Sequence, residues 1–587
     1  MHIKSLFPDP PKVPQSNVHH LLFNRPDQKE WPDYTLFVDV ATDQRRSFRE
    51  FVERVRDGAT ALGADVVQGG LGIRPEDGEV VGILSENCLD FVALIHSLLA
   101  ITVPIALFSS YSTPYEFKHT TSVAQPTRIF ASPSLLTLAL TSGLPADRIY
   151  ILEGENKGHT SYDQLVSSVR KNGIPRVPVR HATKDTLAYM VFSSGTSGLP
   201  KVVMLSHGNI THVLLGMMVI GMEMAKVQPP PVWNTPEGIQ ISLNVVPVYH
   251  SLGLYLTSFF NFLGRSTTVM LSKWNIEVFF DSIPKYQITN LSFVPSLIHQ
   301  VVHHPRFKTA DMSSVKGVGS GAAHLPPQLA DQLRTRFPDM GRINQGYGLS
   351  EITMGAAMTP IPGLLNGRAK DKPDSVGILF PGLEARIVRP DGSLAGPNEP
   401  GELLLRGSLV ALGYKGNEKA TRETFVDGWL HTGDQLQIDE DGVLFFVDRA
   451  KAHYLTSFVS CCTNPFSQDT LKISGMQVSP TEIENTLLAH PDKLITDVAV
   501  AGVSGGRTSD ERIPRAWVVL SPAGAALGEK EVVVQLVVWV QEQLSRYKWL
   551  RGGVEIVGAI PKSPTGKVLR RVLVAEYEKE VSAKAKL

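Results

Sequence analysis

Between Tyr189 and His207 the chain reads YMVFSSGTSGLPKVVMLSH, and this stretch restricts the fold more than any other. An apolar run suited to a buried strand leads into Ser193-Ser194-Gly195-Thr196-Ser197-Gly198, and a second apolar run, VVML, follows Leu199-Pro200-Lys201. Flexible linkers rarely sit between two apolar runs. A strand-end loop does, and its glycines let backbone N–H groups close around phosphate oxygens. The hydroxyls add donors, and Lys201 adds a compact positive charge. The spacing is not that of a Walker A loop, which requires Gly-Lys-Ser/Thr: Lys201 follows Pro200 and precedes Val202, so a P-loop kinase or ATPase is disfavoured.

The surrounding pattern supplies sheets for such a loop. From Tyr34 to about Arg449, short aliphatic runs such as Val80–Leu84 and Ile241–Val246 precede helical stretches such as Phe279–Tyr286, the rhythm of layered α/β subdomains with substantial sheet. Between Gly401 and Asp448 the texture changes to short strands and turns, a β-rich subdomain. A smaller α+β unit follows, with a helix at 480–489, strands at 497–503 and 516–520, a helix at 530–543 and a last helix from Lys567. A chain of 587 residues exceeds one compact core, and the expected division is a large N-terminal domain, 1–449, hinged to a small C-terminal domain, 450–587.

Lysine plus arginine and aspartate plus glutamate both number 57, so no global field draws the chain to nucleic acid or anionic membrane, and an anionic substrate must be held by local groups. Cys88, Cys461 and Cys462 offer neither a disulfide framework nor metal-ligand spacing. The longest apolar stretch, Phe91–Phe108, holds His96 and is broken by Pro104, which suits a buried helix running into a strand rather than a transmembrane segment.

Further strings follow the loop in order: Pro247-Val248-Tyr249-His250, Gly319-Ser320-Gly321-Ala322-Ala323, Gln345-Gly346-Tyr347-Gly348-Leu349-Ser350-Glu351, the run from Asp427 to Asp434, Asp448-Arg449-Ala450-Lys451, Lys472-Ile473-Ser474-Gly475, and Pro561-Lys562-Ser563-Pro564-Thr565-Gly566-Lys567. With the loop, they resemble the motifs of the adenylate-forming superfamily along nearly the whole chain, most closely the acyl- and aryl-CoA ligases of the 4-coumarate:CoA ligase-like group, of fungal type. Val202 stands where many members have glycine and His324 where proline is common.

The resemblance implies a carboxylic acid:CoA ligase that uses ATP, Mg²⁺ and CoA, first forming an acyl-adenylate with release of pyrophosphate and then an acyl thioester. It implies nucleotide contacts from Ser193, Ser194, Gly195, Thr196, Ser197, Lys201, Gly321, Ala322, Ala323, Gln345, Gly346, Tyr347, Ser350, Asp434, Arg449 and Lys567. Tyr347 would stack on adenine, Asp434 would accept both ribose hydroxyls, and Glu351 would hold Mg²⁺. Lys567, His250, Glu351 and Lys201 would act at the reacting atoms. Tyr249, His250, Leu252, Gly253 and Met354 would line the acyl pocket, Lys273, Lys472, Ser474 and Gly475 would meet CoA, and Lys451 would be the hinge. The alternatives are an adenylating enzyme with another acceptor, a carrier-protein thiol or luciferase-like oxygen, and a non-catalytic nucleotide-binding relative.

Two features fall outside this pattern. The terminal Ala585-Lys586-Leu587 differs from Ser-Lys-Leu by one small residue, which points to a peroxisomal import receptor as partner and the peroxisome as location, the cytoplasm being the alternative. Seventeen residues, 452–468, interrupt the hinge and contain no Asp, Glu, Lys or Arg, and they read as a retained intron, the alternative being a genuine surface loop.

Overall fold

The computed structural model describes residues 1–193, 200–322, 325, 327–337, 343–449, 471–473, 476–505, 512–561 and 568–584. The loop residues 194–199, Ala323 and His324, the hinge and insertion at 450–470, Ser474 and Gly475, the motif at 562–567 and the terminal tripeptide lie outside the described residues.

The apolar stretch from Phe91 to Phe108 divides as its pattern predicts, into helix Leu89–Ala100, all twelve residues of which are buried, and strand Ile105–Phe108. That strand belongs to a seven-stranded sheet ordered Gly413–Tyr414, Lys201–Ser206, Leu187–Ser193, Ile105–Phe108, Val81–Leu84, Arg128–Ala131, Ile149–Ile151. The last five strands of this order run parallel, and the first two are antiparallel additions. Strands buried on both faces carry no polar alternation, and Val81–Leu84 and Arg128–Ala131 are buried at every position.

A second sheet has nine strands. Its parallel centre runs Asn344–Tyr347, Gly317–Ser320, Asn290–Phe293, Gln240–Asn244, Ser266–Met270 and Thr35–Asp39, with antiparallel strands at both edges. A third, six-stranded antiparallel sheet forms the β-rich subdomain, and it begins earlier than the sequence texture suggests. Strand Glu384–Val388 belongs to it, and His2–Lys4 pairs along that strand's free side. One continuous core joins all three sheets, from Phe37 through Ile105 and Ile378 to Leu403 and Leu436.

The small C-terminal domain has its own core around Ile483, Val500, Val518 and Leu536. It contains a three-stranded sheet of Ile495–Val503, Ile513–Leu520 and Val554–Ile556, with helices Pro480–Leu488 and Glu529–Gln543. The last described helix runs Arg570–Lys584, starting later than Lys567. Among the described residues one helix, His207–Ala225, is long and apolar enough to cross a membrane, but 61% of its most apolar window is buried inside the protein. Gly216 in that helix lets Phe380 pack directly against its backbone.

The C-terminal ends of the two parallel sheets are tied together by one side chain. Asn87, which follows strand Val81–Leu84, donates to the carbonyls of Val246 at 3.0 Å and Leu271 at 3.1 Å and accepts from the Val248 N–H at 2.9 Å. It is 5% exposed. Truncation would leave three buried backbone groups without partners, each worth about 1–3 kcal/mol. Asn87→Ala is therefore expected to lower the unfolding free energy of the large domain by at least about 3 kcal/mol in urea titrations. A loss below about 0.5 kcal/mol would show that solvent replaces the amide.

Candidate active site

Strands Leu187–Ser193 and Lys201–Ser206 form an antiparallel pair with Ser193 directly opposite Lys201, so the glycine-rich loop springs from a closed pair at a strand end. Glu351 reaches this point from the short helix Ser350–Ile352. Its Oε1 accepts from the Ser193 hydroxyl at 2.9 Å and from the Tyr414 hydroxyl at 2.8 Å. Lys201 Nζ lies over the Tyr414 ring, 4.8 Å from its centroid. Burial lowers the Lys201 ammonium below its usual range, and the charges of Glu351 and Glu423 oppose that shift without cancelling it. Burial, followed by the Glu351 charge, pushes the Tyr414 phenol far upward, so it remains a donor.

Tyr414 is absent from the sequence-derived candidates. It enters the site because Gly413–Tyr414 pairs with Met204 and Val203, beside Lys201. Immediately after the Glu351 helix, the buried Thr353 holds φ +68°, a conformation that costs a side-chain-bearing residue of order 1–3 kcal/mol. Its hydroxyl donates to the Leu409 carbonyl, which anchors the strained turn to the segment leading to Tyr414.

The nucleoside candidates meet at the edge of the second sheet. Strand Gly317–Ser320 pairs with Asn344–Tyr347, Ser320 opposite Gln345, which brings the Gly321-Ala322 turn beside Gln345 and Gly346. Ala322 holds φ +65° and is exposed. The Tyr347 hydroxyl donates to Asp434 Oδ2 at 2.6 Å, and its ring lies 6.3 Å from that of Phe446. Asp434 is 1% exposed and pairs through its backbone with Arg449 on the adjoining strand. Residues 87 positions apart in sequence thus share one hydrogen bond where the resemblance places adenine and ribose.

The acyl-side candidates follow strand Gln240–Asn244. Tyr249 is buried, and His250 caps helix Ser251–Ser258 with extended backbone. Their rings lie 4.9 Å apart. Gly253 is required there, since a Cβ would stand 2.1 Å from the Pro247 carbonyl oxygen. Leu252 lies against Gly321, about 3.6 Å from where a Cβ on that glycine would be, so the acyl candidates border the nucleoside wall. The Met354 carbonyl lies against Gly348, next to Tyr347, on the nucleoside side. His250 keeps part of its surface open, yet its Nε2 is buried with no hydrogen-bond partner.

Of the CoA candidates, Lys273 is largely exposed and pairs with Glu86 at 3.0 Å. Lys472 lies in strand Leu471–Ile473 of the small domain. No group of three or more His, Cys, Asp or Glu converges among the described residues. The donor set at Glu351, one carboxylate beside two hydroxyls, suits a hard cation whose shell is completed by phosphate oxygens and water.

Burial pushes the His250 imidazole down to about 4, from 6.5. His96 and His207 are likewise lowered to about 4 by burial. A histidine pKa depressed by folding contributes its stability fully above pH 6.5 and loses it as the pH falls toward 4. Unfolding free energy is thus expected to fall across that window, and His250→Gln to reduce the slope by about one proton. Urea midpoints measured at several pH values check this, and an unchanged slope would mean that His250 titrates normally.

The profile of the AMP-binding enzyme family matches residues 25–415, and that of the AMP-binding enzyme C-terminal domain matches 482–567. A Dictyostelium discoideum protein named "Probable 4-coumarate–CoA ligase 1" is 31% identical over 581 residues, 96% of this chain and 95% of its own length. A "Luciferin 4-monooxygenase" of Nipponoluciola cruciata is 29% identical over 556 residues, 93% of this chain and 92% of its own. The solved amide bond synthetase McbA from Marinactinospora thermotolerans shares the fold with a TM-score of 0.74 at 21% identity, covering 96% of this chain and 99% of that one. With two thirds of its length under the family profile and a Dictyostelium relative 31% identical over nearly its whole length, the chain belongs to the AMP-binding enzyme family, the adenylate-forming enzymes.

Proposed function

We infer that this member of the family is an ATP-dependent carboxylic acid:CoA ligase acting in two steps. The observation that carries the reading is the junction at Glu351, where Ser193 and Tyr414 share one carboxylate oxygen beneath the Lys201 charge. The Tyr347–Asp434 bond supports it as the nucleoside end of the same site.

A carboxylate and ATP repel each other, so the first step needs positive charge and donors fixed in place before the reaction. Lys201 would hold phosphate oxygens from a partly buried position where its charge is weakly screened. Tyr414, kept protonated, and Ser193 fix the Glu351 carboxylate. A divalent cation at Glu351 would neutralise phosphate charge when bound. Asp434 would accept from the ribose hydroxyls, and Tyr347, tied to Asp434, would meet the base. Neutral His250, whose buried Nε2 has no hydrogen-bond partner and which stands two residues before Leu252 of the acyl wall, would donate to the incoming carboxylate.

The carboxylate oxygen attacks the α-phosphorus and the bond to pyrophosphate breaks. A thiol sulfur then attacks the acyl carbon, AMP leaves with the electrons of the broken C–O bond, and the thiol proton goes to solvent. The name of the Dictyostelium relative supports CoA as the thiol, while the names of the luciferin monooxygenase and the amide bond synthetase show that relatives serve other acceptors.

Pyrophosphate release measured across aryl, arylpropenoyl and medium-chain acids, with and without CoA, tests this reading. Acid-dependent release that becomes sustained thioester production on adding CoA is expected. Acid-dependent release with no thioester would assign another acceptor, and no release with any acid would leave a nucleotide-binding relative. Lys567→Ala is expected to lower adenylation by at least about a hundredfold while sparing thioester formation from supplied acyl-AMP, because its cation serves only the first transition state. Equal loss of both half-reactions would remove Lys567 from that role.

A further inference from the structure

Among the described residues, the most deeply buried ion cluster outside the site joins the two domains. Helix Pro114–Ala124 of the large domain begins with a capping box in which Thr113 and Glu116 satisfy each other's backbone. The Glu116 carboxylate also accepts from the small domain, from Ser545 N–H at 3.1 Å, from the Ser545 hydroxyl and from Lys548 Nζ at 2.7 Å. Lys548 Nζ makes a second bond of 2.7 Å to Glu482 of its own domain. Lys548, Glu116 and Glu482 are 3%, 4% and 1% exposed. Around them Thr113 donates to the Gln543 carbonyl, and Ser545 lies 2.7 Å from the Tyr111 carbonyl.

We propose that Glu116 and Lys548 are positioning residues that form a reversible latch, holding the small domain in this orientation and so setting how long the enzyme dwells in one of its two half-reactions. The role of the latch in partitioning rests on the two-step reading above. Its existence as an interdomain lock does not.

Three features make it a latch rather than a permanent staple. Each half is complete without the other: on separation Glu116 returns to water and still caps its helix, while Lys548 keeps Glu482 as a neutral pair. Closed, it is imperfect: two carboxylates share one ammonium, and Glu482 Oε2 is buried with no hydrogen-bond partner. Burial, with the Glu116 charge adding to it, raises the Glu482 carboxyl despite Lys548. It is also wired to the site, because His119, one turn along the helix from Glu116, bonds the Pro200 carbonyl at 3.2 Å, next to Lys201.

The test is a pair of charge-neutralising variants with opposite expected signs. Glu116→Gln preserves the cap, since glutamine serves at that helix position, but removes the charge that Lys548 meets across the interface. Glu482→Gln removes the carboxylate that competes for Lys548 and leaves the interdomain bond. Orientation is read by energy transfer between dyes on cysteines replacing the exposed Val67 and Val534, with Cys461 and Cys462 changed to serine, in the full chain without substrates.

Glu116→Gln should deplete the docked population by about tenfold or more, the effect of unpairing a buried ion pair, and Glu482→Gln should enrich it. With acid, ATP and CoA present, Glu116→Gln should move the two half-reaction rates in opposite directions while the melting temperature of the large domain stays constant. Unchanged energy transfer in both variants, or both half-reactions falling together, would overturn the latch. The transfer measurement stands even if the acceptor is not CoA.

Discussion

A parallel sheet ends in backbone groups that no neighbouring strand can satisfy, and here two such sheets end side by side. The amide of Asn87 spans that seam, meeting the Val246 carbonyl and Val248 N–H on the segment that leads to Tyr249 and His250, and the Leu271 carbonyl at the end of the neighbouring strand. Buried backbone groups almost always find partners, so the seam can close only in the register that Asn87 permits. Everything at the site inherits that register. Ser193, Ser320 and Tyr347 each end a strand, and Glu351 and His250 follow within a few residues of one. Ligands of open α/β sheets sit outside the carboxyl ends of strands, and this molecule lines up two such edges.

Electrostatics works at the same short range. A chain with equal numbers of acidic and basic residues has no net field, so charge matters where water is thin. Glu351, Lys201 and Tyr414 form one such place, and a carboxylate fixed by two hydroxyls with a cation above the Tyr414 ring would need little rearrangement to receive phosphates in the proposed reaction. The neutral state of His250 follows from the same dryness.

Much of the fold was legible because its signals are local. The Pro104 break in an apolar run separated helix Leu89–Ala100 from strand Ile105–Phe108, and aliphatic runs marked Val81–Leu84 and Ile495–Val503. The convergence of Tyr347 with Asp434 was anticipated only by resemblance, since no spacing rule links residues 87 positions apart. What escaped detection is non-local. Tyr414 owes its place to a two-residue strand docked beside Lys201, and nothing in its neighbourhood distinguishes it. Glu116 and Lys548 lie 432 positions apart and read singly as surface charges. His2–Lys4 is too short to show a pattern, and what holds it, backbone pairing and the contacts of His2 and Lys4 with Glu384, comes from a segment 382 positions away.

That last strand has a consequence for how the chain is built. His2 and Glu384 touch in the folded protein but are 382 positions apart, so the ribosome makes one edge of the β-rich sheet long before the strand it must join. At about 5–20 residues per second, tens of seconds separate the two. During that interval the segment near His2 is an unpaired edge, while the parallel sheets between have time to collapse around their own strands. The β-rich sheet therefore closes last within the large domain, so early truncation products lack that closure and present open strands to chaperones and proteases.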